Sequence, residues 1–240
     1  MAERFKLGDY AYAHRGLWTS DGPSENSLEA FLNAAELGFG IEFDVRPSKD
    51  GIPIVFHDPD LDRMTQETGA TEDQLAGDLI GLKLKSGGEI ISLAHLLSVW
   101  PATTPLLCEM KVDGQTNPVA FCQSVAALIS KHDGPAAMMS FSRTAVATIP
   151  PDIMRGQLIA PSDGVSSKDR TETARVPVDY FACHTSDAKD PSLQAVRGDQ
   201  PLITWTVKDA ATCEDLSSFT DSQIFEGFEP ALAKRHILST

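Results

Sequence analysis

The chain has 240 residues, 42% of them hydrophobic, and a formal net charge of −14. Length and apolar content suit one sizeable core, so a single domain over residues 1–240 is expected. The charge excludes a broad polyanion-binding surface and with it nucleic acid, whereas a small anionic substrate stays open if cations gather locally.

In chain order, Tyr10–Ala13 reads as a strand that delivers His14 and Arg15 at its end. Ser27–Leu37 sets Leu28, Phe31, Leu32 and Ala35 on one face and closes at Gly38, which predicts an amphipathic helix. Ile41–Val45 is the next strand; alternate side chains share a face, so Glu42 and Asp44 project to one side and Ile41, Phe43 and Val45 to the other. Two carboxylates backed by an apolar face suit a hard divalent cation, Mg2+ or Ca2+, against the alternative of an acidic edge strand facing water. Asp50-Gly51 marks a hairpin into a strand at Ile52–Phe56, which places His57 at a strand end as His14 is. Two imidazoles so placed, each beside a charged residue, suit acid/base catalysis. Residues 59–91 are polar and glycine-punctuated, the one long interruption of the pattern, and read as a lid or small insertion.

Order resumes with a helix at Ser92–Trp100, a strand at Pro105–Met110 and an amphipathic helix at Pro118–Lys131. Strands follow at Ala136–Phe141, Gly156–Ala160, Tyr180–His184, Leu202–Val207 and Gln223–Phe228. Helical segments separate them near Arg143–Ile149, Lys168–Arg175, Ser192–Val196, Ala210–Phe219 and Pro230–Leu238. About eight β/α repeats favour an α/β fold of the TIM (β/α)8 barrel type, with its site at the carboxyl ends of the strands; a doubly wound open sheet is the alternative. On a barrel, Glu109 at a strand end would add a third carboxylate, and Lys111 on the same face would join Arg15 in holding a phosphate. Off a barrel, the two would be an ordinary surface pair.

No apolar run approaches the length of a membrane span and Met1–Lys6 is charged, which predicts a cytoplasmic protein without stable membrane association. Cys108, Cys122, Cys183 and Cys213 are scattered through apolar patterns and read as reduced core residues. His95, His132, His184 and His236 read as structural or surface residues, His184 being near enough to a strand end to reach a pocket.

The ordered motifs resemble the glycerophosphodiester phosphodiesterase family. They are His14-Arg15-Gly16, Glu25-Asn26-Ser27, Glu42-Phe43-Asp44-Val45, Gly51 with Pro53 through Asp58, Glu109 with Lys111, Ser140-Phe141 and Trp205-Thr206-Val207. The resemblance implies a TIM barrel with a small insertion after the second strand, here at about 59–91. It also implies metal-dependent hydrolysis of a small-molecule glycerophosphodiester to an alcohol and sn-glycerol 3-phosphate. His14 and His57 match the acid/base pair, and Glu42, Asp44 and Glu109 the ligands of one divalent cation. Arg15 and Lys111 match phosphate contacts, Asn26 a residue that positions the site, and Trp205 an aromatic lining the substrate pocket. The attacking group would be the substrate's own glycerol hydroxyl, giving a cyclic phosphate that water opens, or water directly.

The chain departs from the family at Lys208, where asparagine is common, and across Phe225–Pro230; these changes are expected to shape the pocket and to touch no catalytic or metal residue. Three other readings stand beside this one: a lysophospholipase D-like activity on lipid substrates, a non-catalytic barrel that binds a phosphorylated ligand, and a magnesium-dependent lyase or aldolase, for which Lys111 is the clear lysine.

Overall fold

The computed structural model of the chain describes residues 5–159 and 177–237. The elements run β1 (Tyr12–His14), α1 (Leu28–Glu36), β2 (Gly40–Pro47), β3 (Pro53–Val55), α2 (Ala76–Leu79), β4 (Ile91–Ser92), α3 (Leu93–Val99), β5 (Leu106–Met110) and α4 (Pro118–Ile129). They continue β6 (Ala136–Ser140), α5 (Arg143–Thr148), β7 (Met154–Ile159), β8 (Tyr180–His184), α6 (Pro191–Arg197), β9 (Leu202–Val207), α7 (Ala210–Leu216), β10 (Ser222–Phe225) and α8 (Pro230–Ile237). The helix expected at Lys168–Arg175 lies outside the described residues, as does Ala160.

Helix starts are set by local chemistry. Ser27, Ser92, Asn117, Ser142, Asp190 and Asp209 each accept a backbone N–H of the first turn that no carbonyl can reach, and Pro118 and Pro191 follow two of these caps with φ already helical.

Strands β1, β2, β5, β6, β7, β8, β9 and β10 pair in parallel, and β1 pairs with both β2 and β10, so the ring is closed. Closure excludes the open doubly wound sheet. β3 and β4 lie outside the ring, β3 antiparallel to β2 through the predicted hairpin, whose Gly51 adopts φ 78°.

Alternation along each strand sorts side chains into two layers. Ile41, Phe43, Val45, Cys108 and Met138 pack outward against the helices, while Tyr12, Leu107, Met139, Tyr180, Ile203 and Ile224 fill the barrel. Two glycines make room for the interior tyrosines: a Cβ at Gly40 would meet Tyr12 Cδ1 at 2.6 Å, and one at Gly156 would collide with the Tyr180 ring. All four cysteines are buried and none is in a disulfide. Among the described residues no helix is long and apolar enough to cross a membrane.

The segment 59–91 is more than a loop. Leu61, Ala76, Leu79, Leu84 and Ile90 form a small core with Ile54 and Phe56 of the hairpin. Leu79 is fully buried there, so Leu79→Ala is expected to cost about 2–5 kcal/mol by urea denaturation. A loss under about 1 kcal/mol would show that this unit collapses around the gap.

Candidate active site

His14 ends β1, Glu42 and Asp44 lie on β2, and Glu109 lies on β5, which pairs with β2 so that Asp44 stands beside Glu109. One ligand atom from each of the three carboxylates falls within 4.8 Å of the others, and the residues are 1%, 1% and 6% exposed. Two backbones in the left-handed region, Arg15 (φ 59°) and Asn26 (φ 56°), bring the β1–α1 loop over this cluster. Arg15 N–H donates to the Glu42 carbonyl and Asn26 N–H to the Arg15 carbonyl, while the Asn26 amide donates to Asp44 Oδ2 at 2.9 Å. Asn26 is thus a brace for Asp44.

Both expected phosphate-binding cations are here engaged with carboxylates. Arg15 Nη1 donates to Glu25 at 2.7 Å and its Nε lies 3.2 Å from Asp44 Oδ2; Lys111 Nζ sits 3.0 Å from Asp44 Oδ1 and 2.6 Å from Glu109 Oε1. Burial alone would raise the Asp44 carboxyl, but Lys111, Arg15, His57 and the Asn26 amide hold it far below the carboxylate range. At Glu42 the balance goes the other way: burial first, then the like charges of Asp44 and Glu109, push it well up against the opposing pull of Lys111 and Arg15. Burial likewise raises Glu109, against the pull of Lys111.

The donor set fits a hard cation. Glu42 Oε2, Asp44 Oδ1 and Glu109 Oε1 are all buried; Lys111 is ion-paired with the last two, and Glu42 Oε2 has no hydrogen-bond donor. Three carboxylates converging in a buried site supply the oxygen ligands and the charge that a divalent ion needs to replace its water.

Each histidine is bound at Nδ1 by a carboxylate. His57, just beyond β3, contacts Asp58 Oδ1 at 2.7 Å, and burial, ahead of other influences, lowers its pKa below the ordinary imidazole value. His14 contacts Glu226 Oε2 at 2.6 Å, and its Nε2 lies 3.8 Å from Glu42 Oε2. Burial works to raise the Glu226 carboxyl, but His14 and Lys208 outweigh it and hold it down to about 2. Glu226 and Lys208 are the two departures expected to leave the catalytic residues untouched; the structure corrects that expectation, because strand β10 lies against β1 and carries Glu226 onto His14. A carboxylate just past a strand's carboxyl end was the available signal.

Arg63 was not anticipated at all. From the insertion it donates to Asp58 at 2.5 Å and to both oxygens of Glu25 at 2.7 and 2.9 Å, fastening the segment to the site. Trp205 projects at the same end of the barrel, edge-on to Phe141 and His184 with centroids 5.7 and 5.3 Å away. Two cavities flank the centre: about 430 Å³ bounded by Arg46, Asp60, Glu72 and Asp113, and about 490 Å³ bounded by Trp18, Glu226 and Phe228.

Fold and site together define a TIM barrel with an acidic cation cluster and two carboxylate-held histidines at the carboxyl end of its strands. A model of the glycerophosphoryl diester phosphodiesterase family matches residues 14–143, over half of the chain, and the chain belongs to that family. Among curated relatives it is 39% identical over 95 residues to a probable glycerophosphodiester phosphodiesterase 2 of Mycobacterium tuberculosis, covering 39% of this chain and 36% of the relative. It is 47% identical over 60 residues to human glycerophosphodiester phosphodiesterase 1, covering 25% and 18%. The matches thus span about a third or less of those relatives' length. The fold is shared with a putative glycerophosphoryl diester phosphodiesterase of Silicibacter pomeroyi (TM-score 0.78, 19% identity, 96% and 93% coverage). It is shared equally with an Oleispira antarctica phosphodiesterase solved with the product sn-glycerol-3-phosphate (TM-score 0.77, 21% identity, 96% and 97% coverage).

Proposed function

We propose that this protein is a divalent-cation-dependent glycerophosphodiester phosphodiesterase that releases an alcohol and sn-glycerol 3-phosphate. The observation that carries the reading is the convergence of three buried carboxylates beside two histidines whose Nδ1 atoms are each held by a carboxylate. Glu42, Asp44 and Glu109 would hold the cation, Mg2+ or Ca2+, which supplies charge stabilisation to the phosphoryl oxygens. Arg15 and Lys111, which pair with Asp44, Glu25 and Glu109 at the rim of this cluster, would contact the phosphate. The Nδ1 contacts leave Nε2 of each imidazole for the substrate. His57, which burial holds below the ordinary imidazole value, is suited to accept a proton; the pair between them would take one from the attacking hydroxyl and return one to the leaving alkoxide. Trp205 would line the pocket for the glycerol or the alcohol. Four buried cysteines outside any disulfide support a cytoplasmic, reducing location.

The expected result is turnover of glycerophosphocholine, followed by 31P NMR, that needs Mg2+ or Ca2+ and stops with chelator. Turnover that persists in chelator, or none with either cation, would overturn the reading. Ile52, Leu75 and Ile80 are 42%, 49% and 45% exposed in and beside the insertion, so a lysophospholipid belongs in the same panel.

A further inference from the structure

Strands β9 and β10 end side by side, with Glu226 N–H donating to the Val207 carbonyl at 3.0 Å. This register aligns three side chains in a row. Lys208 Nζ lies 3.0 Å from Glu226 Oε1, and Glu226 Oε2 lies 2.6 Å from His14 Nδ1, so each carboxylate oxygen has one partner. Glu226 is 13% exposed and Lys208 68%, so the row runs from solvent into the site. An ionised carboxylate only accepts, so the contact requires a proton on His14 Nδ1. In the neutral ring the lone pair then sits on Nε2, the atom facing Glu42.

Building on the phosphodiesterase reading, we propose that Glu226, steadied by Lys208, is a positioning residue that fixes the tautomer and ring angle of His14 and so presents Nε2 to the reacting phosphate. The two departures from the family pattern then form one unit. Glu226 supplies the acceptor, and Lys208 keeps its carboxylate from swinging away. A pair that merely closed the seam between β9, β10 and β1 would affect stability but neither the tautomer nor kcat selectively.

The test uses the full chain with Mg2+ or Ca2+ and glycerophosphocholine. Glu226→Gln keeps the shape but offers an amide, and is expected to lower kcat by about 10- to 100-fold with KM within about twofold. Glu226→Asp, which keeps the charge on a shorter arm, should recover part of the loss. Lys208→Met should lower kcat by roughly two- to fivefold in the wild-type background and have no further effect on Glu226→Gln, since it acts only through that carboxylate. Long-range 1H–15N correlation at pH 8 in the cation-free protein should show His14 protonated on Nδ1, and a shift toward Nε2–H in Glu226→Gln. Unchanged kcat in Glu226→Gln, or a lowered kcat with an unchanged tautomer, overturns the proposal. An inactive wild-type protein would remove the phosphodiesterase reading instead, and the tautomer comparison would still decide the pairing.

Discussion

His57→Ala is expected to lower kcat on a glycerophosphodiester by about 10²- to 10⁴-fold, the range that a positioned acid or base supplies, while leaving the affinity for Mg2+ or Ca2+ within a few-fold. His57 is held in place by three contacts that the substitution does not share with the carboxylate cluster. Its carbonyl accepts from Arg46 Nε at 2.6 Å, its Nδ1 meets Asp58, and Asp58 is gripped by Arg63. The backbone bond survives the loss of the ring, and Arg63 still holds Asp58, so a folded protein with an intact cluster is expected. Cation affinity measured by calorimetry separates a lost proton-transfer group from a damaged site. A variant retaining more than about a tenth of wild-type kcat would remove His57 from the acid/base role.

Glu42→Gln is expected to abolish the stabilisation that a divalent cation confers while leaving the cation-free protein as stable as before, or more so. The sign follows from the surroundings. Glu42 is buried beside two like charges and its carboxyl is pushed up, so ionising it in the empty cluster opposes folding. A neutral isostere lifts that repulsion. With the cation bound the balance reverses, because the removed charge was a ligand. At a concentration of 100 Kd a cation stabilises by about 2.7 kcal/mol; a hundredfold weaker site would leave about 0.4 kcal/mol at the same concentration. Thermal unfolding with and without Mg2+ or Ca2+ reads both halves. A cation-induced shift that survives in Glu42→Gln would place the ion elsewhere. Asp44 is the contrasting case: Lys111 and Arg15 would each lose one of their two carboxylate partners in a buried site, so its removal is expected to destabilise even the cation-free protein.

These two residues also show what could be read along the chain. Glu42 and Asp44 share a face because a strand repeats every second residue, a property of the backbone that needs no partner, and the apolar Ile41, Phe43 and Val45 confirm the face they oppose. Glu109 with Lys111 followed from the same rule once the β/α repeats implied a barrel. The helix start at Ser27 was equally local, because a cap satisfies N–H groups within the next few residues. Strand ends were less legible: the strand expected at Gln223–Phe228 stops at Phe225, and Glu226 leaves the strand to meet His14.

The sequence by itself therefore determined the repeating β/α order, the two histidines at strand ends and the three carboxylates on one face, all of them consequences of periods of two or a few residues. Only the tertiary structure decided which charges meet. Glu226 reaches His14 across 212 positions because ring closure sets β10 against β1, and Arg63 reaches Glu25 across 38 because the insertion folds back over the first loop on its own small core. Arg15 and Lys111, expected from the sequence as phosphate contacts, balance Asp44, Glu25 and Glu109 in this structure, since a buried carboxylate binds whatever cation packing brings within reach. Pairings of that kind depend on register and closure, which no short-range pattern encodes.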